Sequence, residues 1–221
     1  MIMNPTTISS KPRRSQVDRS AETRAVLIGA AVYLLSTVGF SKTTTQLIAK
    51  QAGVTTGALH HHFLTKDELM FAVLDHAAIQ LNERLEAEVG TPLTGISRIR
   101  ALVDHLWQVY GHPEYWAIWE IIIGTRADPV FHQSVVRHRA ETMRTVVRPW
   151  LARLQLSPDA WNDYVETFEF LLIAIRGLGL ERFLDQSDTY FDRHLSILAE
   201  FVGSRLEISR TALPRPSRSD A

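Results

Sequence analysis

Three groups of residues in this chain have types and spacings that could do chemistry. The first is Thr55, Thr56 and Gly57 with His60, His61 and Lys66. A threonine can meet a base edge, a thymine methyl or a phosphate, and a glycine lets backbone approach closely. The second is Trp107, Tyr110, Trp116, Trp119 and Phe131 around Glu120, enough aromatic surface to line a cavity for a small apolar or aromatic molecule. The third is Arg176 with Gly177 and Leu180, closing the apolar run that begins at Phe168. Arg176 could pair with Glu169 of a second copy, the preferred reading, or neutralise a ligand carboxylate. No nucleophile-base motif, H-E-x-x-H or phosphate loop accompanies these groups, so no catalytic residue is assigned and an enzyme is not expected. The run His60-His61-His62 does not make a metal tripod, because successive helical residues point about 100° apart while a helical metal pair uses i, i+3 or i, i+4. No metal or cofactor is expected.

The elements that must position the first group lie between Thr43 and Phe63, which reads as two short helices around Ala52-Gly53-Val54, a helix-turn-helix. Thr43 with Gln46 has capping-box form, Leu47, Ile48 and Ala52 supply the buried side, and Gly53 ends the helix by tolerating positive φ. Val54, Ala58, Leu59 and Phe63 have the spacing of an inward face, which turns Thr55, Thr56, Gly57, His60 and His61 outward. Upstream, Leu27, Ile28, Ala31, Leu34, Leu35 and Val38 mark a covering helix, with Ser20 as its N-cap and Gly39 as its stop. Downstream, Thr65 and Glu68 form a second capping box opening a helix to about Glu88. Lys66 sits in its first turn, where a cation opposes the helix dipole, and a DNA phosphate is its natural partner. On periodicity alone, a three-helix structural unit without DNA competes with this reading.

The rest of the 221 residues reads as helix throughout. The spans are about 96–110, Pro113 to Gly124, Asp128 onward with a bend or stop at Pro149, Pro158 to about Leu184, and about 190–206. Thr91 and Pro92 break the chain between two of these helices, and Pro214 and Pro216 mark a loose tail. The fold class is all-α. Trp116 to Ile123 is apolar nearly all round and is expected to be deeply buried, which makes Glu120 costly unless it is paired, with Arg126 or Arg100 as candidates. Cysteine is absent, which excludes disulfides and thiolate chemistry. Charges cancel over the whole chain, yet residues 1–70 hold eight Lys or Arg against Asp18, Glu22, Asp67 and Glu68, leaving that third at about +4. A basic head on a mildly acidic body suits nucleic acid at one end. Residues 1–19, with Lys11, Arg13 and Arg14, read as a flexible basic arm; no membrane span is expected and the cytoplasm is the default compartment.

Residues 20 to about 75 resemble the DNA-binding domain of the TetR family of bacterial repressors. Gly39-Phe40, Thr43-Thr44, Ile48-Ala49, Ala52-Gly53-Val54, Gly57-Ala58-Leu59, His61-His62-Phe63 and Lys66-Asp67-Glu68-Leu69 carry that resemblance, in order and with the family's spacing. It implies that Thr44 caps the second helix and contacts phosphate, with Thr43 beside it in the DNA-facing set. It also implies that Thr55, Thr56 and Gly57 lead the recognition helix and that Lys66 binds phosphate. His60 stands where the family usually has a tyrosine, and a histidine contact would vary with pH; Thr45 replaces a usual aliphatic residue. The implied organisation is a head at 20–66, a ligand-binding and dimerisation body at 67–207 and a tail at 208–221. The implied function is a homodimeric repressor on a palindromic operator, paired through its last two long helices and released by a small molecule. A helical enzyme and a DNA-binding scaffold without ligand response are the alternatives.

Overall fold

The apolar spacing of the first helix is realised as a stripe of seven buried residues, among them Leu27, Ala31 and Leu35, on α1 (Gln16–Val38). The computed structural model describes residues 16–87, 96–153, 158–184 and 186–211; Lys11, Arg13 and Arg14 of the N-terminal arm, the break at Thr91 and Pro92 and the proline tail lie outside them, while residues 16–19, expected in the arm, are helical. Helix is already present at Gln16, so Ser20 is an interior residue and not the N-cap. α1 is long and apolar enough to cross a bilayer by composition, but its stripe packs against other helices of the same molecule.

Gly39 stops α1 at φ +84° and Gly53 turns the chain between α2 (Thr45–Gln51) and α3 (Thr56–His62) at φ +69°, both in the left-handed region that glycine enters without a Cβ clash. The cap of α2 is Thr44, whose hydroxyl accepts from Leu47 N–H at 3.2 Å; Thr43 does not cap it. α4 (Lys66–Glu86) opens on Thr65, which accepts from Glu68 N–H while the Glu68 carboxylate accepts from Leu64 N–H. This is the expected capping box displaced by one residue on its return bond.

α5 (Ile96–Tyr110) leads through a short 3₁₀ turn at Pro113–Tyr115 to α6 (Trp116–Gly124). The carboxylate of Asp128 caps α7 (Pro129–Thr142) by accepting from Val130 and Phe131 N–H. Pro149 neither ends nor breaks the helical path. A π-helical turn at Met143–Val147 widens the helix just before α8 (Arg148–Ala152), where the missing proline N–H falls in the first turn. α9 (Pro158–Leu180) and α10 (Asp188–Thr211) are the long closing helices. Among the described residues there is no strand, so the molecule is all-α as expected.

Two apolar clusters organise the packing. One gathers Leu27, Leu35, Ile48, Leu59 and Leu69 with Ile121 of α6 and Phe131 of α7. The other gathers Leu85, Ile99, Leu106, Leu151, Leu171 and Ala199. α4 serves both, Leu69 to Leu74 in the first and Leu81 and Leu85 in the second. A fully buried leucine such as Leu59 contributes roughly 1.5–3 kcal/mol. The head is thus bonded to α6 and α7 by shared core, so a shift of either is felt at α1–α3.

Candidate nucleic-acid interface and ligand cavity

The outward face of α3 is built by its own cap. Thr55 accepts from Ala58 N–H at 3.1 Å, which fixes the first turn, while Leu59 and Phe63 anchor the opposite side in the core. Gly57, His60 and His61 are then exposed, Thr55 is exposed at the cap and Thr56 is half-buried. A Cβ placed on Gly57 would meet nothing nearer than the Thr55 hydroxyl at 3.9 Å. Thr43 departs from expectation. It is 0 % exposed and its hydroxyl donates to Gly39 C=O at 2.8 Å, so it holds the α1–α2 turn and is removed from the DNA-facing set. Thr44, one residue on, remains exposed. Lys42 and Lys50 are exposed cations of the same unit; only their charge distinguishes them in the sequence.

Below this face lies a joint to the body, centred on Phe40. The Glu120 carboxylate accepts from Phe40 N–H at 2.8 Å and from Trp116 Nε1–H at 3.1 Å. Lys66 Nζ donates to Phe40 C=O at 2.9 Å and stands 3.9 Å from the centre of the Phe40 ring. Two glycines make the close approach possible. A Cβ on Gly39 would lie 3.2 Å from Glu120 Oε2, and one on Gly124 would overlap the Phe40 ring. Glu120 therefore pairs with neither Arg126 nor Arg100, whose guanidinium is taken by Asp104 and Asp192. It is half-buried at the joint and does not border the main cavity. α6 is not buried all round, since Ile123 is exposed. Partial burial lowers the Lys66 ammonium from its ordinary range against the opposing pull of Asp67; one of its protons is committed to Phe40.

A cavity of about 290 Å³ opens between α4, α5, α6, α7 and α9. Leu74, Ala78, Ile118, Ile122, Leu172 and Ile173 give it an apolar wall, and Tyr110, Tyr115, His138, Arg139, Glu169 and Arg176 give it polar groups. Of the six residues expected to bind a ligand, Tyr110 alone borders it. Trp107 packs on Phe191 at 5.2 Å between ring centres with Arg182 over it, and Phe131 meets Phe71 edge-on inside the first core cluster. Trp116 and Trp119, with Tyr110, border a separate cleft of about 210 Å³, where Trp116 lies against Phe183. A further cleft of about 500 Å³ is walled by exposed His76, Gln80, Glu83 and Arg84 of α4 and is a feature of the polar surface.

The electrostatics of the main cavity are set by two arginines. Arg176 is half-buried, its Nε donates to Leu172 C=O at 2.6 Å and its guanidinium faces the Tyr110 ring at 5.7 Å. Arg139 stands at the rim, an exposed residue whose guanidinium is lowered from the usual arginine range by partial burial and then by the like charge of Arg176. Burial raises both Tyr110 and Tyr115 far enough to keep them as neutral O–H donors at ordinary pH. The sequence offers no signal for Arg139, which sits in a polar helix among other charges.

Arg176 lines the cavity wall, and Glu169, its expected partner from a second copy, borders the same cavity. Gly177 is exposed with open space above it and Leu180 is half-buried. Among the outward residues of α9 and α10 are four large apolar ones: Phe170 is 46 % exposed, Ile173 61 %, Ile197 56 % and Phe201 47 %. The Phe170 and Phe201 rings are 5.2 Å apart. Such a contiguous exposed patch marks an interaction surface.

Residues 27–73 match the model of the bacterial regulatory proteins of the tetR family. Over 201 residues the chain is 25 % identical to the HTH-type transcriptional regulator CymR of Pseudomonas putida, covering 91 % of this chain and 96 % of that one. It is 27 % identical to the HTH-type transcriptional repressor NicS of the same species over 171 residues, 73 % of this chain and 76 % of the relative. Among solved structures, a transcriptional regulator from Rhodococcus sp. RHA1 superposes with a TM-score of 0.63 at 21 % identity, covering 81 % of this chain and 95 % of its own. A transcriptional regulator from Saccharomonospora viridis, crystallised in complex with choline, does so with 0.60 at 17 %, covering 82 % and 96 %. The head motif, the all-helical body and these relatives agree: residues 27–73 match the tetR family of bacterial regulatory proteins, and over most of its length the chain resembles HTH-type transcriptional regulators.

Proposed function

We propose that this regulator is a ligand-responsive repressor that binds a palindromic DNA operator as a homodimer and is released by a small molecule held in its helical body. The observation that carries the reading is the joint. α6 offers Ile118 and Ile122 to the cavity and, from the same short helix, Glu120 to Phe40 of the head. A ligand that fits one position of α6 better than another biases the placement of α1–α3, by as much as its affinities for the two states differ. Thr44, Thr55, Thr56, Gly57, His60 and His61 form the proposed DNA face, with Lys66 dividing its ammonium between Phe40 and phosphate. Head and body divide at about residue 66, and the protein works in the cytoplasm.

The dimer forms through the outward patch of α9 and α10. Two heads so joined would sit in successive major grooves, about 34 Å apart. Phe201→Glu, on an exposed position that the fold does not need, is expected to give monomers by analytical ultracentrifugation. It should weaken palindrome binding by roughly 100-fold or more, because the second half-site is no longer captured intramolecularly. A dimer that survives Phe201→Glu together with Phe170→Glu contradicts this interface.

A further inference from the structure

We infer that the cavity selects an apolar molecule carrying one carboxylate, held between the Arg176 guanidinium inside and the Arg139 guanidinium at the rim. The inference rests on the proposed sensor reading and names the ligand class of that site.

Some arginines of the body have acids at hand, Arg100 pairing with Asp104 and Asp192, Arg144 with Glu141 and Arg153 with Glu86, while Arg137 bonds Ser134 and Arg182 lies over the Trp107 and Phe191 rings, both away from the cavity. Among the described residues Arg139 and Arg176 have no ion-pair partner, and Arg139 and Arg176 act on each other as like charges. The nearby carboxylate of Asp75 is already taken by His138 at 2.7 Å. Glu169 borders the cavity but makes no ion pair with either guanidinium and is not among the charges acting on Arg139. Two like-charged guanidiniums lining one cavity without an acid between them leave room for an anion that satisfies both.

The remaining polar groups agree in sign. Tyr115 lines the cavity beside Arg176, and Tyr110 meets Tyr115 edge-on at 4.8 Å. Held neutral by burial, their hydroxyls can donate to a carboxylate oxygen without competing for charge. An amine ligand would face two like charges, and a neutral one would leave both guanidiniums unpaired. Ile118, Ile122 and Leu172 supply the apolar wall for the rest of the molecule, and a volume of about 290 Å³ suits one ring or a medium chain.

The test uses the full-length protein, free of DNA, and calorimetric binding of 4-butylbenzoate, octanoate, 4-butylbenzamide and 4-butylbenzylamine. The carboxylates are expected to bind at least tenfold more tightly than the amide and the amine. Arg176→Met should remove that preference while leaving amide binding within about threefold, since it keeps an apolar stem. Arg139→Met, at an exposed position, should reduce the preference without loss of fold by thermal unfolding. Carboxylate binding unchanged in both variants, or amide or amine binding as tight as the carboxylate, overturns the inference. If the amide or amine both binds and releases DNA, the inference falls and the sensor reading stands. If no probe binds, the inference falls, while the sensor reading falls only if the cavity variants and the wild type respond alike in operator release to every ligand that the wild type does bind.

Discussion

Gly57→Glu is expected to abolish specific DNA binding, by 100-fold or more, in a protein at least as stable as the parent. The position lies at the second residue of α3, exposed, with helical φ and open space where a Cβ would go. Replacing glycine inside a helix recovers up to about 1 kcal/mol of backbone entropy, and an acidic residue in the first turn complements the helix dipole. The folded state therefore has nothing to lose. The bound state does: the added side chain fills the closest approach to the groove and sets a negative charge against phosphates. Fluorescence anisotropy with an operator fragment, alongside thermal unfolding, separates the two. Gly57→Ala, with a single methyl, should cost less than tenfold. Retained affinity in Gly57→Glu would mean that this face of α3 does not enter DNA.

The second large effect is expected at Glu120. Its two oxygens satisfy two donors, Phe40 N–H and Trp116 Nε1–H, from head and body respectively. Gln keeps one acceptor and turns an amide N–H₂ toward the other donor, and stranding one buried donor costs about 1–3 kcal/mol. Glu120→Gln should lower the unfolding temperature and, more tellingly, uncouple the two sites. Cavity ligand should still bind within about threefold, because Glu120 does not border that cavity. The change in operator affinity on adding ligand should fall from the 5–150-fold usual for allosteric coupling to about threefold or less. Full release of DNA by ligand in Glu120→Gln would place the coupling elsewhere.

The parts of this molecule legible in the sequence are those decided within a turn or two of chain. Gly39 and Gly53 mark their stops because no other residue enters positive φ so cheaply, and Asp128-Pro129 announces a helix start by cap chemistry. Adjacent threonines already strain this legibility. Thr43 and Thr44 share a type, and only the packing of the α1–α2 turn decides that one is sealed and the other caps. The aromatic residues of the body could be counted but not placed, since Trp107, Trp116 and Phe131 find partners on three different elements. Glu120 took a backbone N–H 80 residues away over any nearby arginine. No periodicity encodes that choice, nor the meeting of Arg139 and Arg176 from separate helices. Local chemistry thus marked the proposed DNA face, while the proposed sensing site required the tertiary fold.

The central claim is tested most directly by genome-wide selection of DNA fragments with the purified full-length protein at defined salt. The account predicts enrichment of a palindrome with half-sites about one helical turn apart and affinity that falls steeply with rising salt as counterions are released. Absence of any enriched sequence, or binding indifferent to salt, would contradict it.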